Sequence, residues 1–144
     1  MNGKRFLLQN GLTLAFTVAI VAAMGSLFLS EVLGYEPCKL CWFQRVFMYP
    51  LVFLLGIAAS RKDYGIIRYA VPLAAIGSCI SIFHYSLQKI PFLHEEVTIC
   101  TSGVPCNEDY LNWWNVVTIP LLCLTAFALI LTILLLLRRA LKEE

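Results

Sequence analysis

The chain has 144 residues, of which 60% are hydrophobic and 14% charged, and its net charge is +2. A soluble domain is about half apolar and about a quarter charged, so this composition excludes an ordinary water-soluble globule. The small basic excess is explained by membrane topology and gives no reason to invoke nucleic acid.

In chain order, four apolar runs are long enough to cross a bilayer: residues 11–33, 42–60, 66–87 and 113–137. At about 1.5 Å per residue, about 20 residues cross a hydrocarbon core of about 30 Å. Backbone polar groups find no partner in lipid, so each run is predicted to be helical. The expectation is an all-α integral membrane protein, a single four-transmembrane-helix bundle spanning the chain. Lys4 and Arg5 ahead of the first run invite comparison with a signal peptide. The apolar stretch continues well past the roughly 7–15 residues of such a region, with no clear cleavage site, so the first helix is expected to be retained.

The basic residues set the expected orientation. Lys4, Arg5, Arg61, Lys62, Arg68, Arg138, Arg139 and Lys142 fall on one side, and Lys39, Arg45 and Lys89 on the other. By the positive-inside rule both termini are cytoplasmic. Two loops then face outward: a tight one over residues 34–41 and a long one over residues 88–112 between helices three and four. The long loop mixes apolar residues with acids, Gly103 and Pro105, and is expected to lie along the membrane surface and carry function. Pro50, Pro72 and Pro120 read as kinks or local breaks whose freed carbonyls neighbouring helices satisfy. Tyr35, Trp42, Tyr85, Trp113 and Trp114 near span ends read as interfacial belts.

Six cysteines are present. Cys79 and Cys123 fall inside spans three and four and read as small, inert, buried hydrophobes. The other four lie outside, two per loop. Cys38 and Cys41 form a C-x-x-C at the entrance to helix two, where backbone N–H groups and the helix dipole favour a thiolate. Arg45 follows Cys41 by one turn, so its guanidinium is expected to support a Cys41 thiolate and to hold an anionic acceptor. The competing reading is an arginine snorkelling to the headgroups. Cys100 and Cys106 flank a turn-rich interval that suits a loop disulfide. A zinc site made of the four outer cysteines is disfavoured because an oxidising compartment favours disulfides, and metal ligands are not expected. His84 and Gln88, spaced by four on the outer turn of helix three, lie at the depth of Arg45, where a quinone head group fits between them. Packing of His84 against a neighbouring helix is the rival, and His94 reads as an ordinary loop residue.

Four spans, Pro37-Cys38-x-x-Cys41 with Arg45 beyond, a second outer cysteine pair and His84-x-x-Leu87-Gln88 together resemble the DsbB/BdbC family of membrane thiol:quinone oxidoreductases. The likeness covers nearly the whole chain, and the close spacing of Cys100 and Cys106 resembles the shorter BdbC branch. It implies that a thioredoxin-like extracytoplasmic thiol oxidase, of the DsbA/BdbD type, is reoxidised here and that electrons pass to ubiquinone or menaquinone in a bacterial plasma membrane. By analogy Cys100 forms the mixed disulfide, Cys106 passes electrons to Cys38, and Cys41 donates to the quinone. A vitamin K epoxide reductase-like enzyme is disfavoured, since its loop pair precedes its C-x-x-C. A scaffold with two structural outer disulfides remains the non-catalytic alternative.

Overall fold

A computed structural model of the chain describes residues 2–90, 92–93 and 118–143. Four helices long and apolar enough to cross a membrane are found among them. They are α1 (Asn2–Glu31), α2 (Lys39–Arg61), α3 (Ile67–Lys89) and α4 (Ile119–Lys142), with a short 3-10 turn over Tyr64–Ile66. Each helix packs against its neighbours in the chain and α4 returns against α1, which closes a ring. The expected all-α bundle is therefore the observed architecture. Most of the long outer loop, with Cys100, Cys106, His94, Trp113 and Trp114, lies outside the described residues.

The inward faces follow helical spacing. Leu12, Ala15, Ala19 and Ala23 form the buried stripe of α1, and Met48, Leu51, Leu55 and Ala58 that of α2. On α3 the stripe is Ile67, Ala70 and Ala74, and on α4 it is Phe127, Ile130, Leu134 and Leu137. Lipid tails are as apolar as leucine, so close contact has to come from shape, and small residues provide it. Gly77 on α3 leaves room for the ring of the fully buried Phe127, and a Cβ added there would run into that ring. Gly11 does the same for Leu137, where α1 meets α4.

The connections have local causes. After α1, Gly34 takes φ +71°, a left-handed conformation that costs glycine little, and Tyr35 N–H bonds back to the Leu29 carbonyl at 3.1 Å. After α2, Lys62 caps the helix in the left-handed region, and the Asp63 carboxylate accepts from Gly65 N–H at 2.9 Å to start the 3-10 turn. Tyr64 O–H donates to the Leu8 carbonyl at 2.6 Å and pins this turn to α1.

α1 begins nine residues before the apolar run that marks it, because helix continues into polar residues outside the hydrocarbon. Pro50 and Pro72 lie inside α2 and α3, and Pro120 falls in the first turn of α4, where its missing N–H costs nothing. One expectation needs correction. Cys79 is exposed, facing outward from α3, and Cys123 is half-buried against a cavity described below. Neither is a core residue.

Candidate active site

Cys38 occupies the N-cap of α2, with extended backbone angles, and its carbonyl accepts the Trp42 N–H at 3.1 Å. This puts Cys41 one turn into the helix on the same face. Both cysteines are free thiols, with sulfurs 3.2 Å apart. The pair sits in a small apolar cluster with Leu40, Leu87, Ile80 and Leu93, which shields it from water.

α3 brings the third group. Its inward stripe turns polar toward this end through Ser78, Ser81 and His84. The two serines bond to the carbonyls of Ala74 and Gly77 on their own helix, which removes their polar demand. His84, 1% exposed, instead reaches α2, with Nε2 at 3.5 Å from the Cys38 sulfur and Nδ1 at 3.3 Å from Gln44 Nε2. As placed, the Gln44 amide faces Nδ1 and the sulfur faces Nε2, with the donor and acceptor roles set by the ring tautomer.

These contacts converge on Cys38. The hydrogen bond from Cys41 is the largest influence, holding the Cys38 thiol well below the ordinary thiol range. Burial pushes the other way, while His84 adds a hydrogen bond and favourable charge. Of the pair, Cys38 is thus the thiol whose pKa is lowered.

Arg45 is buried, 9% exposed, so it does not snorkel. Its Nε donates to Ser26 Oγ at 2.9 Å and one terminal nitrogen to the Ser26 carbonyl at 3.0 Å, which fastens α2 to α1. The guanidinium lies 5.3 Å from the centre of the Trp42 ring, within cation–π range. Helical spacing suggested a contact with Cys41, but the described hydrogen bonds go to the neighbouring helix.

Cys38, Cys41, Arg45, His84 and Gln88 all line one cavity of about 510 Å³ between α1, α2 and the first turns of α4. Its walls are mostly apolar, and some of their members, Val21, Leu122 and Leu129, are also exposed on the outside of the bundle. Three buried polar atoms on this lining, Gln44 Oε1, Tyr49 Oη and Gln88 Oε1, have no hydrogen-bond partner among the described residues. A cavity that is apolar but carries unpartnered polar atoms is built for a ligand with a few polar groups.

The family model for disulfide bond formation protein DsbB matches residues 9–137. The chain belongs to the DsbB family. It is 47% identical to disulfide bond formation protein C of Bacillus subtilis (strain 168) over 86% of this chain and 89% of that one. A probable disulfide formation protein C of Bacillus cereus is 46% identical over 83% and 85%. A probable disulfide formation protein of Oceanobacillus iheyensis is 41% identical over 91% and 90%. No solved structure matches the chain. Membership of the DsbB family makes this a multi-pass bacterial membrane protein of disulfide formation, with oxidoreductase chemistry and a thiol oxidase as partner.

Of the site residues expected from sequence, five meet at the cavity, and Cys100 and Cys106 lie outside the described residues. Sequence reasoning missed Ser26, Gln44 and Tyr49. For Gln44 a signal existed: an amide within an apolar span is costly unless it has a task. Ser26 and Tyr49 carried none.

Proposed function

We propose that this protein reoxidises an extracytoplasmic thioredoxin-like thiol oxidase and delivers the electrons to a membrane quinone, with both termini cytoplasmic. The observation that carries this reading is the opening of the Cys38–Cys41 dithiol onto an apolar cavity whose unpartnered polar atoms include Tyr49 Oη and Gln88 Oε1. The polar inventory fits a quinone: Tyr49 O–H is a donor for a carbonyl oxygen, and the amide oxygens of Gln44 and Gln88 accept from a hydroxyl. Arg45 uses two of its N–H groups on Ser26 and keeps its positive charge at the cavity wall.

In the relay, a partner dithiol reduces the Cys100–Cys106 disulfide, and a loop thiolate then attacks Cys38 of the Cys38–Cys41 disulfide. Each exchange forms one S–S bond as another breaks. The attack on Cys38 expels Cys41 as the leaving thiolate. The second loop cysteine then attacks the loop sulfur of the mixed disulfide and expels Cys38, whose thiolate His84 and Cys41 stabilise. A bound quinone supplies a two-electron, two-proton acceptor. As Cys38 and Cys41 close to a disulfide they release two electrons and two protons, and His84 is placed to hold a proton beside Cys38. Arg45 draws negative charge toward the cavity, and the apolar wall keeps water away from the sulfurs.

The test is anaerobic mixing of purified protein, a reduced thioredoxin-like oxidase and a quinone, followed by quinone absorbance. One quinone reduced per partner disulfide formed is expected. Partner oxidation without quinone reduction would overturn the assignment of the acceptor.

A further inference from the structure

From the disposition of the two thiols and the buried imidazole, we propose that the reduced protein binds a thiophilic divalent cation, zinc in the first instance, through Cys38, Cys41 and His84. This site arises only in the dithiol stage. It differs from the four-cysteine zinc site considered from the sequence, which an oxidising compartment disfavours.

The three ligand atoms already lie within 4.8 Å of one another, and all three residues open on the cavity. With Zn–S near 2.3 Å and Zn–N near 2.0 Å, tetrahedral angles set S···S at about 3.7 Å and S···N at about 3.5 Å. The Cys38–His84 distance of 3.5 Å meets that value, and the sulfurs, 3.2 Å apart, need to open by a fraction of an ångström. Cys41, half-buried, moves toward His84 to complete the face. The fourth position is left to water or another small ligand from the cavity, the arrangement of an open zinc site.

A second observation points to a ligand at Nε2. To bind metal there, His84 carries its proton on Nδ1 and donates it to an acceptor, as ligating histidines do. Gln44 is 2% exposed, its Nε2 faces Nδ1, and its Oε1 has no partner among the described residues. Turning the amide over presents that oxygen to Nδ1–H and frees the Nε2 lone pair. Gln44 therefore serves either tautomer of His84, and in the metal-bound state the orphaned oxygen gains its hydrogen bond. Zinc displaces thiol protons to water and stays divalent, so no electrons move. The Cys38–Cys41 disulfide has no thiolate to offer, and oxidation abolishes the site. Zinc thus holds the protein in its reduced state and stops turnover, whatever the final electron acceptor.

Full-length protein in detergent, reduced anaerobically and freed of reductant, is titrated with Zn²⁺ against a chromophoric chelator. One equivalent is expected for reduced protein and none for oxidised. Cys100→Ser/Cys106→Ser keeps the site, Cys38→Ser or Cys41→Ser loses it, and His84→Ala weakens it at least tenfold. Gln44→Ala is expected to weaken it by about 10–100-fold, the usual effect of removing the hydrogen bond behind a ligating histidine. Equal binding by oxidised protein, loss of binding in Cys100→Ser/Cys106→Ser, or unchanged affinity in His84→Ala would overturn the proposal. If His84→Ala does not fold, the thiolate-to-metal absorbance of Cd²⁺-loaded wild type decides: two coordinated sulfurs are expected, and four would refute it.

Discussion

His84 Nε2 lies 3.5 Å from the Cys38 sulfur, although the residues stand 46 apart in the chain. That contact joins α3 to the first turn of α2 and makes the acidity of the dithiol depend on a side chain from another helix. In His84→Ala the Cys38 thiolate loses a hydrogen bond and favourable electrostatics while the larger contribution from Cys41 remains, so its pKa rises but stays lowered. The midpoint of Cys38 alkylation against pH is expected to move upward in His84→Ala. Iodoacetamide labelling with mass spectrometry reads both profiles.

The same contact bears on the redox potential. A low thiol pKa stabilises the reduced state, which makes the disulfide a stronger oxidant. A hydrogen bond to a charged group contributes about 1.5–3 kcal/mol, so His84→Ala is expected to lower the Cys38–Cys41 potential by about 30–60 mV. Equilibration with a glutathione buffer measures the shift. An unchanged potential would show that His84 only packs.

Arg45→Ala is expected to slow electron delivery to quinone by about tenfold or more, while both cysteine pairs still close. The two hydrogen bonds to Ser26 make Arg45→Lys a poor replacement, since an ammonium cannot reproduce the planar fork. Ser26→Ala removes one of those bonds and leaves the charge, so its effect should be smaller than that of Arg45→Ala. Stopped-flow absorbance of the quinone ranks the three.

Gly77→Ala tests the packing. A methyl there meets the ring of Phe127, which is fully buried, and overpacking of this kind costs about 1–3 kcal/mol. A lower Tm in detergent is expected, partly restored by Gly77→Ala/Phe127→Leu.

The orientation is open to a direct check. In Glu36→Cys, an exposed position close to the buried Cys38, a membrane-impermeant maleimide applied to reduced, sealed cells should label the introduced thiol from outside. In Lys62→Cys the introduced thiol should react only after the membrane is opened. Reversal of this pattern would place the dithiol on the cytoplasmic side.

Much of this was legible in the sequence where the signal is local. The C-x-x-C, its position at a helix start and the Arg45, His84 and Gln88 spacings depend on one helix at a time, and all five side chains reach the cavity. What one helix presents to another was not legible. Hydropathy cannot say which face of an apolar span looks inward, because lipid and core are equally apolar. Cys79, expected inside, accordingly lies on the outer face, and Arg45 takes Ser26 as its partner and not Cys41. The contact between His84 and Cys38 was hidden for the same reason, since His84 comes from α3.

The walls of the cavity that also form the outside of the bundle have a final consequence. α1 and α4 touch tightly where Gly11 receives Leu137, yet nearer the dithiol Val21 and Leu129 face both the cavity and the surroundings. On the proposed quinone reading the doorway is sideways, into the acyl chains: the carrier docks by lateral diffusion with its tail among the lipids, and turnover needs no watery passage through the protein.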